Sequence, residues 1–132
     1  ADMATMACRI QHKDDFFNAN VVKLVTDEKD HALYFSRAPI PWDRDGFSDK
    51  QDLNPAMPVF RHIGMYVYRA RLLTQYCQMP MSPLEKWEKL EQLRFLHQGV
   101  KIKVAYAQGM PPHGVDTEAD LLKLNTLMKA KN

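Results

Sequence analysis

Long apolar runs are missing from this sequence: no stretch reaches the roughly eighteen uninterrupted apolar residues that a membrane-spanning helix needs. Excess charge of one sign is missing as well. Eighteen Lys and Arg against sixteen Asp and Glu leave a formal +2, too balanced to draw in nucleic acid or a membrane surface by bulk electrostatics, so any anion site must be local. Cysteine is scarce: Cys8 and Cys77 make neither a disulfide framework nor a zinc site, and as small hydrophobes they fit a reduced, cytoplasmic setting. Ala1 to Met6 holds no basic segment leading into an apolar one, which predicts no signal peptide. Gly-rich phosphate loops, Gly-x-Ser-x-Gly elbows and Cys-x-x-Cys pairs are absent, and with them the nucleophile motifs of acyltransferases and hydrolases. His12, His31, His97 and His113 stand at no spacing that would make a metal site.

What is present is ordinary globular material: 132 residues, 45% hydrophobic and 26% charged, enough for one core. Met3 to Ile10 already reads as a strand, which predicts a chain that begins inside a domain. Val21 to Val25 and Ala32 to Phe35 read as a hairpin across the polar Asp27 to Asp30, with a helical turn at Lys13 to Phe17. Pro39 and Pro41 stop regular structure, and a long loop runs from Trp42 to Pro58. Val59 to Arg69 is the most legible strand. Its period of two sets Ile63, Met65 and Val67 on one face, predicted as core, and His62, Gly64, Tyr66 and Tyr68 on the other, predicted as able to bind. A helix over Ala70 to Gln78 follows. Ser82, Pro83 and Glu85 form a capping box with proline at the first helical position, opening a helix expected to run to Gln98 and stop at Gly99. Lys101 to Ala107 is a strand, Gly109 to Gly114 a loop, and Thr117 opens a last helix with Leu121, Leu124 and Met128 on one stripe. The mixture predicts an α/β layer architecture with a hairpin insertion.

Several residues have chemistry as well as packing to offer. Gly64 leaves a gap between His62 and Tyr66 in which a small polar ligand can reach the backbone; the other reading packs these rings under a helix with their polar tips satisfied. On a continuous helix from Ser82, Glu91 falls near the directions of Leu84, Trp87 and Phe95. A carboxylate on that apolar side requires compensation, by Arg94 at i+3 or by a ligand. Periodicity is silent on Gln92. Arg37 ends a strand, where it suits either a bidentate anion or a surface ion pair. Asp116 precedes the last helix as a cap, a turn residue or a ligand for a hard cation such as Mg²⁺.

Read as strings, Ala32 to Arg44, Arg61 to Arg69, Ser82 to Glu85 with Leu90 to Arg94, and Gly114 to Thr117 resemble, in the same order, the motifs of the 3-deoxy-manno-octulosonate (Kdo) cytidylyltransferases. The resemblance spreads over nearly the whole chain. It implies a nucleotide-diphospho-sugar transferase fold, Rossmann-like with three α/β/α layers and a dimerising β insertion. It also implies a cytoplasmic, homodimeric, Mg²⁺-dependent enzyme that joins CTP and Kdo into CMP-Kdo and pyrophosphate for lipopolysaccharide assembly. The family's sugar contacts match Arg37, His62, Tyr66, Glu91 and Gln92, and its Mg²⁺-binding aspartate matches Asp116. No catalytic residue is assigned. The family's amino-terminal half, with the phosphate loop for CTP and a second Mg²⁺-binding aspartate, has no counterpart in these residues. The chain is therefore expected to be the carboxy-terminal portion of a single cytidylyltransferase domain, residues 1–132, inactive alone. The alternative is a noncatalytic sugar-binding or dimerisation module. Asp49 to Met57 and His113 match no part of the pattern.

Overall fold

The computed structural model describes residues 1–47 and 52–108, together with 122, 125 and 126. Its strands are β1 (Met3–Arg9), β2 (Lys23–Thr26), β3 (Ala32–Ser36), β4 (Phe60–Tyr68) and β5 (Ile102–Ala107), and its helices α1 (Lys13–Phe16), α2 (Ala70–Tyr76), α3 (Pro83–Glu88) and α4 (Gln92–His97). The strands form one mixed sheet in the order β3-β2-β4-β1-β5. Only β1 and β5 run parallel; the β1–β4, β2–β3 and β2–β4 pairs are antiparallel. The expected helix from Thr117, with Leu121, Leu124 and Met128, and the loop containing His113 lie outside the described residues. No helix among the described residues is long and apolar enough to cross a membrane.

β1 is buried along six of its seven residues because it lies between two strands and carries apolar side chains on both faces, as central strands do. Met3 and Ala7 join Leu24, Phe35, Leu72, Leu93, Phe95 and Ile102 in the larger core. Ala4, Met6 and Cys8 face the other way, with Ile63 and Ala105. The same division corrects the reading of β4. Ile63, Met65 and Val67 do pack into a core, but the larger cluster lies on the other side, against Tyr66 and Tyr68. The face expected to bind is thus also the face that α2 and α4 cover.

Two irregularities shape that face. Opposite β1, the register of β4 jumps from Tyr66 to Ile63 while β1 advances only from Thr5 to Met6, so Gly64 and Met65 bulge from the ladder. The second is in the helices. The single helix expected over Ser82 to Gln98 is broken: α3 ends at Glu88, Lys89 takes a left-handed conformation (φ 57°), and α4 starts at Gln92. No glycine or proline causes this. The carbonyls of Glu88 and Lys89, which a continuing helix would offer to its own next turn, instead accept from the Arg37 guanidinium, Nε at 2.7 Å and Nη2 at 3.4 Å. The Glu88 carboxylate in turn accepts from the Ser36 hydroxyl (2.6 Å), the Tyr34 hydroxyl (3.3 Å) and the Arg37 backbone N–H (3.0 Å). The end of β3 therefore caps α3 from outside the helix.

Candidate functional site

The start of α3 follows its local sequence: Ser82 accepts from the Glu85 N–H at 3.0 Å, and the Glu85 carboxylate accepts from the Ser82 N–H at 3.3 Å. Glu85 does more than cap. It is the carboxylate that holds Arg94, through Nε at 2.9 Å and Nη2 at 2.8 Å, and this pairing keeps it below the usual carboxylate range. Of the two partners weighed for Glu91, Arg94 or a ligand, Arg94 is therefore already taken. Glu91 is also not on a buried face: the break after Glu88 resets the helical phase, leaving Glu91 exposed at the α4 N-terminus and Gln92 buried.

Between β4 and this helix pair lies a cavity of about 340 Å³, whose lining includes Tyr66, Tyr68, Tyr76, Lys89, Glu91 and Gln92. Its volume is at the lower end of the ~300–1,000 Å³ common for small-molecule sites. Aromatic rings build one wall: Tyr66 stacks on Tyr68 at 5.9 Å, Tyr68 meets Phe95 at 5.8 Å, and Phe95 stacks on Tyr76 at 4.9 Å. Lys89, Glu91 and Gln92 bring polar groups from the turn opposite, and Met3, Leu73 and Leu90 complete the apolar part of the lining. Burial pushes the Tyr66 phenol well up from its ordinary value, with the Tyr68 and Glu91 charges adding to it, so Tyr66 stays a neutral donor and acceptor.

His62 adjoins the cavity wall, its ring 5.3 Å from that of Tyr66 and edge-on to Phe35 at 5.0 Å. Burial pushes its pKa down to about 4, and the imidazole is neutral near pH 7. The gap expected between His62 and Tyr66 is closed by their own rings, which meet at 5.3 Å, although a Cβ built at Gly64 would meet nothing within 4 Å.

The structure thus brings Tyr66, Glu91 and Gln92 into one cavity, with His62 beside it. Arg37 is not among the residues that line it. Its guanidinium lies behind the wall, bonded to Glu88 and Lys89 as above and, through Nη1, to the Ala19 carbonyl at 3.1 Å. Asp116 lies outside the described residues, and among those described no group of three or more His, Cys, Asp or Glu side chains could hold a metal ion. Sequence reasoning missed Lys89 and Tyr76 as lining residues. Lys89 carries no signal, since its position depends on the helix break. Tyr76 carried one, an aromatic at the end of the helix that directly follows the binding strand.

The cytidylyltransferase family model matches residues 1–102. The 3-deoxy-manno-octulosonate cytidylyltransferase of Marinomonas sp. (strain MWYL1) is 64% identical over 128 residues, covering 94% of this chain and 48% of the relative. The protein of that name from Aliivibrio fischeri (strain MJ11) is 52% identical over 128 residues, covering 97% and 51%. A solved structure of CMP:2-keto-3-deoxy-manno-octonic acid synthetase complexed with CTP is similar with a TM-score of 0.72 and 36% identity, over 98% of this chain and 49% of that one. The mixed α/β fold is accordingly of the nucleotide-sugar transferase type. The chain spans about half the length of the curated relatives it matches.

Proposed function

Because the chain belongs to the cytidylyltransferase family, we propose that it forms the sugar-binding portion of an enzyme that transfers CMP from CTP to Kdo, releasing pyrophosphate, for lipopolysaccharide assembly. The observation that carries this reading is the cavity itself, which gathers Tyr66, Glu91 and Gln92 around a space suited to one acidic sugar. Kdo presents a carboxylate and several hydroxyls. Glu91 is an acceptor for hydroxyls, Gln92 a donor and acceptor, and Tyr66 a neutral phenol that can do either. Tyr68 and Tyr76 offer apolar faces to the sugar's C–H groups, and Lys89 offers a cation from the same wall. Arg37, whose guanidinium donates to three carbonyls behind the wall, serves the site by holding that wall in place.

The anomeric hydroxyl of the sugar attacks the α-phosphate of CTP, so the work of these residues is to hold that hydroxyl in position and keep water from competing. Mg²⁺, with Asp116 as a proposed ligand, supplies charge compensation on the phosphates when bound. The amino-terminal portion of the relatives' length supplies the CTP site. The whole enzyme acts in the cytoplasm as a homodimer; support for the second point is that β3 is an edge strand with Leu33 60% exposed.

Calorimetry with Kdo tests the assignment. Wild type should bind, and Glu91→Ala and Tyr66→Phe should each weaken binding by about tenfold, the equivalent of about 1.4 kcal/mol. The 132-residue chain should release no pyrophosphate from CTP, Kdo and Mg²⁺, while a full-length protein should. Absence of a Kdo-dependent heat in wild type would sink the reading, and turnover by the 132 residues alone would show the division of labour to be wrong.

A further inference from the structure

Thr5 lies at the centre of β1, the most buried strand of the sheet, with no accessible surface, and its hydroxyl meets three groups of β4. Oγ1 is 2.8 Å from His62 Nε2, 2.6 Å from the Met65 carbonyl and 3.4 Å from the Ile63 carbonyl. A hydroxyl has one proton to give. Both carbonyls are acceptors only, and the closer, at Met65, lies on the bulge that interrupts the β1–β4 ladder. The Thr5 proton therefore goes to the bulge, and what Oγ1 has left for His62 is a lone pair.

That settles the imidazole. His62 must donate through Nε2–H, and a neutral ring that carries its proton on Nε2 carries a lone pair on Nδ1. Nδ1 makes no hydrogen bond to the described residues. It is not a buried orphan either, since the only buried side-chain N or O without a partner among those residues is Arg61 Nε. Nδ1 is thus an acceptor that keeps some accessible surface, on a ring in contact with that of Tyr66, which lines the cavity.

We propose that Thr5 is a positioning residue: through its hydroxyl it fixes the Nε2–H tautomer of His62, so that Nδ1 accepts a hydrogen bond from a hydroxyl of the sugar. The inference rests on the sugar-binding reading above and deepens it, by assigning which partner on the ligand His62 recognises and which residue outside the cavity makes it do so. A hydroxyl donor on the ligand is accepted, whereas an analogue offering an acceptor at that point meets a second lone pair. Serine keeps the device, because its hydroxyl occupies the same place; valine keeps the shape of threonine and loses it.

The test is ¹⁵N NMR of histidine-labelled full-length protein, read together with Kdo titration of wild type, Thr5→Ser and Thr5→Val. In wild type, His62 should show a protonated Nε2 and an unprotonated Nδ1, and Kdo should shift Nδ1 in the direction of a nitrogen that accepts a hydrogen bond. Thr5→Ser should retain both signatures and bind within about twofold of wild type. Thr5→Val should show mixed tautomers and a Kd for Kdo raised about tenfold. Should Thr5→Val fail to fold, the wild-type tautomer and the serine variant still decide the question. Wild type that binds Kdo with its proton on Nδ1, a Thr5→Val protein with unchanged tautomer and affinity, or a Thr5→Ser protein that has lost them would overturn the positioning role alone. Wild type with the expected tautomer and no response to Kdo would instead overturn the sugar-binding reading and, with it, this use of Nδ1.

Discussion

The two walls of the candidate cavity are held by different physics. His62 and Tyr66 stand on β4, each paired to β1 by the backbone ladder, with His62 also donating its N–H to the Val22 carbonyl beside β2, and burial keeps both side chains neutral. Lys89 and Glu91 stand on the turn between two six-residue helices and Gln92 opens the second of them, and their placement depends on side-chain bonds from the end of β3 to Glu88 and Lys89. A strand residue is positioned by its neighbours' backbones. A residue in that turn is positioned by a few polar side chains, any one of which can be removed. The comparison predicts that the strand wall resists single substitutions which displace the turn.

The largest effect expected is from Leu93→Ala. Leu93 is fully buried under α4, and its truncation should cost about 3 kcal/mol in urea denaturation while loosening the seat of Gln92. Next is Glu88→Ala, which leaves the Ser36 hydroxyl and the Arg37 N–H without their acceptor and should cost about 2.5 kcal/mol. If the turn depends on this contact, the variant weakens Kdo binding although Glu88 does not line the cavity; unchanged binding would erase the contrast between the walls.

The strand wall answers to pH instead. The folded pKa of His62, about 4, lies below its ordinary 6.5. On acidification the unfolded chain takes up the proton first, so this contribution is complete above pH 6.5 and is lost as pH falls through that value toward 4. The loss should be about 2 kcal/mol between pH 6.5 and 5 at a slope near 1.4 kcal/mol per pH unit, and His62→Gln should flatten that part of the curve. The smallest change, about 1 kcal/mol, is expected from Ser82→Ala, which removes a local cap. Thermal unfolding should show it without any change in the tautomer of His62, separating the start of α3 from the wall across the cavity.

Local patterns were legible where one element decides its own geometry. The alternation in β4, the hairpin of β2 and β3, and the capping box with its proline all follow from spacing and residue type, and each is observed. The phase of Glu91 and Gln92 was not legible. Lys89 and Leu90 are ordinary helical residues, and nothing near them in sequence shows that Arg37, more than fifty positions earlier, takes the carbonyls on which a longer helix would depend. The pairing of Arg94 with Glu85 instead of Glu91 has the same origin, because i+3 proximity applies only to a helix that continues. Thr5 carried no signal at all. A threonine in a strand is unremarkable until the bulge opposite it leaves a carbonyl and an imidazole in need of one hydroxyl.

By itself, then, the sequence determined the elements with a short physical range: strand periodicity, caps, turns, the absence of a spanning helix, and motifs whose order resembles one family. Tertiary structure decided where a helix stops, which acid holds which base, and which nitrogen of His62 keeps its proton. Those outcomes depend on hydrogen-bond partners that only folding brings within 3 Å or so, and a buried donor or acceptor takes the partner that is within reach, however far away it lies along the chain.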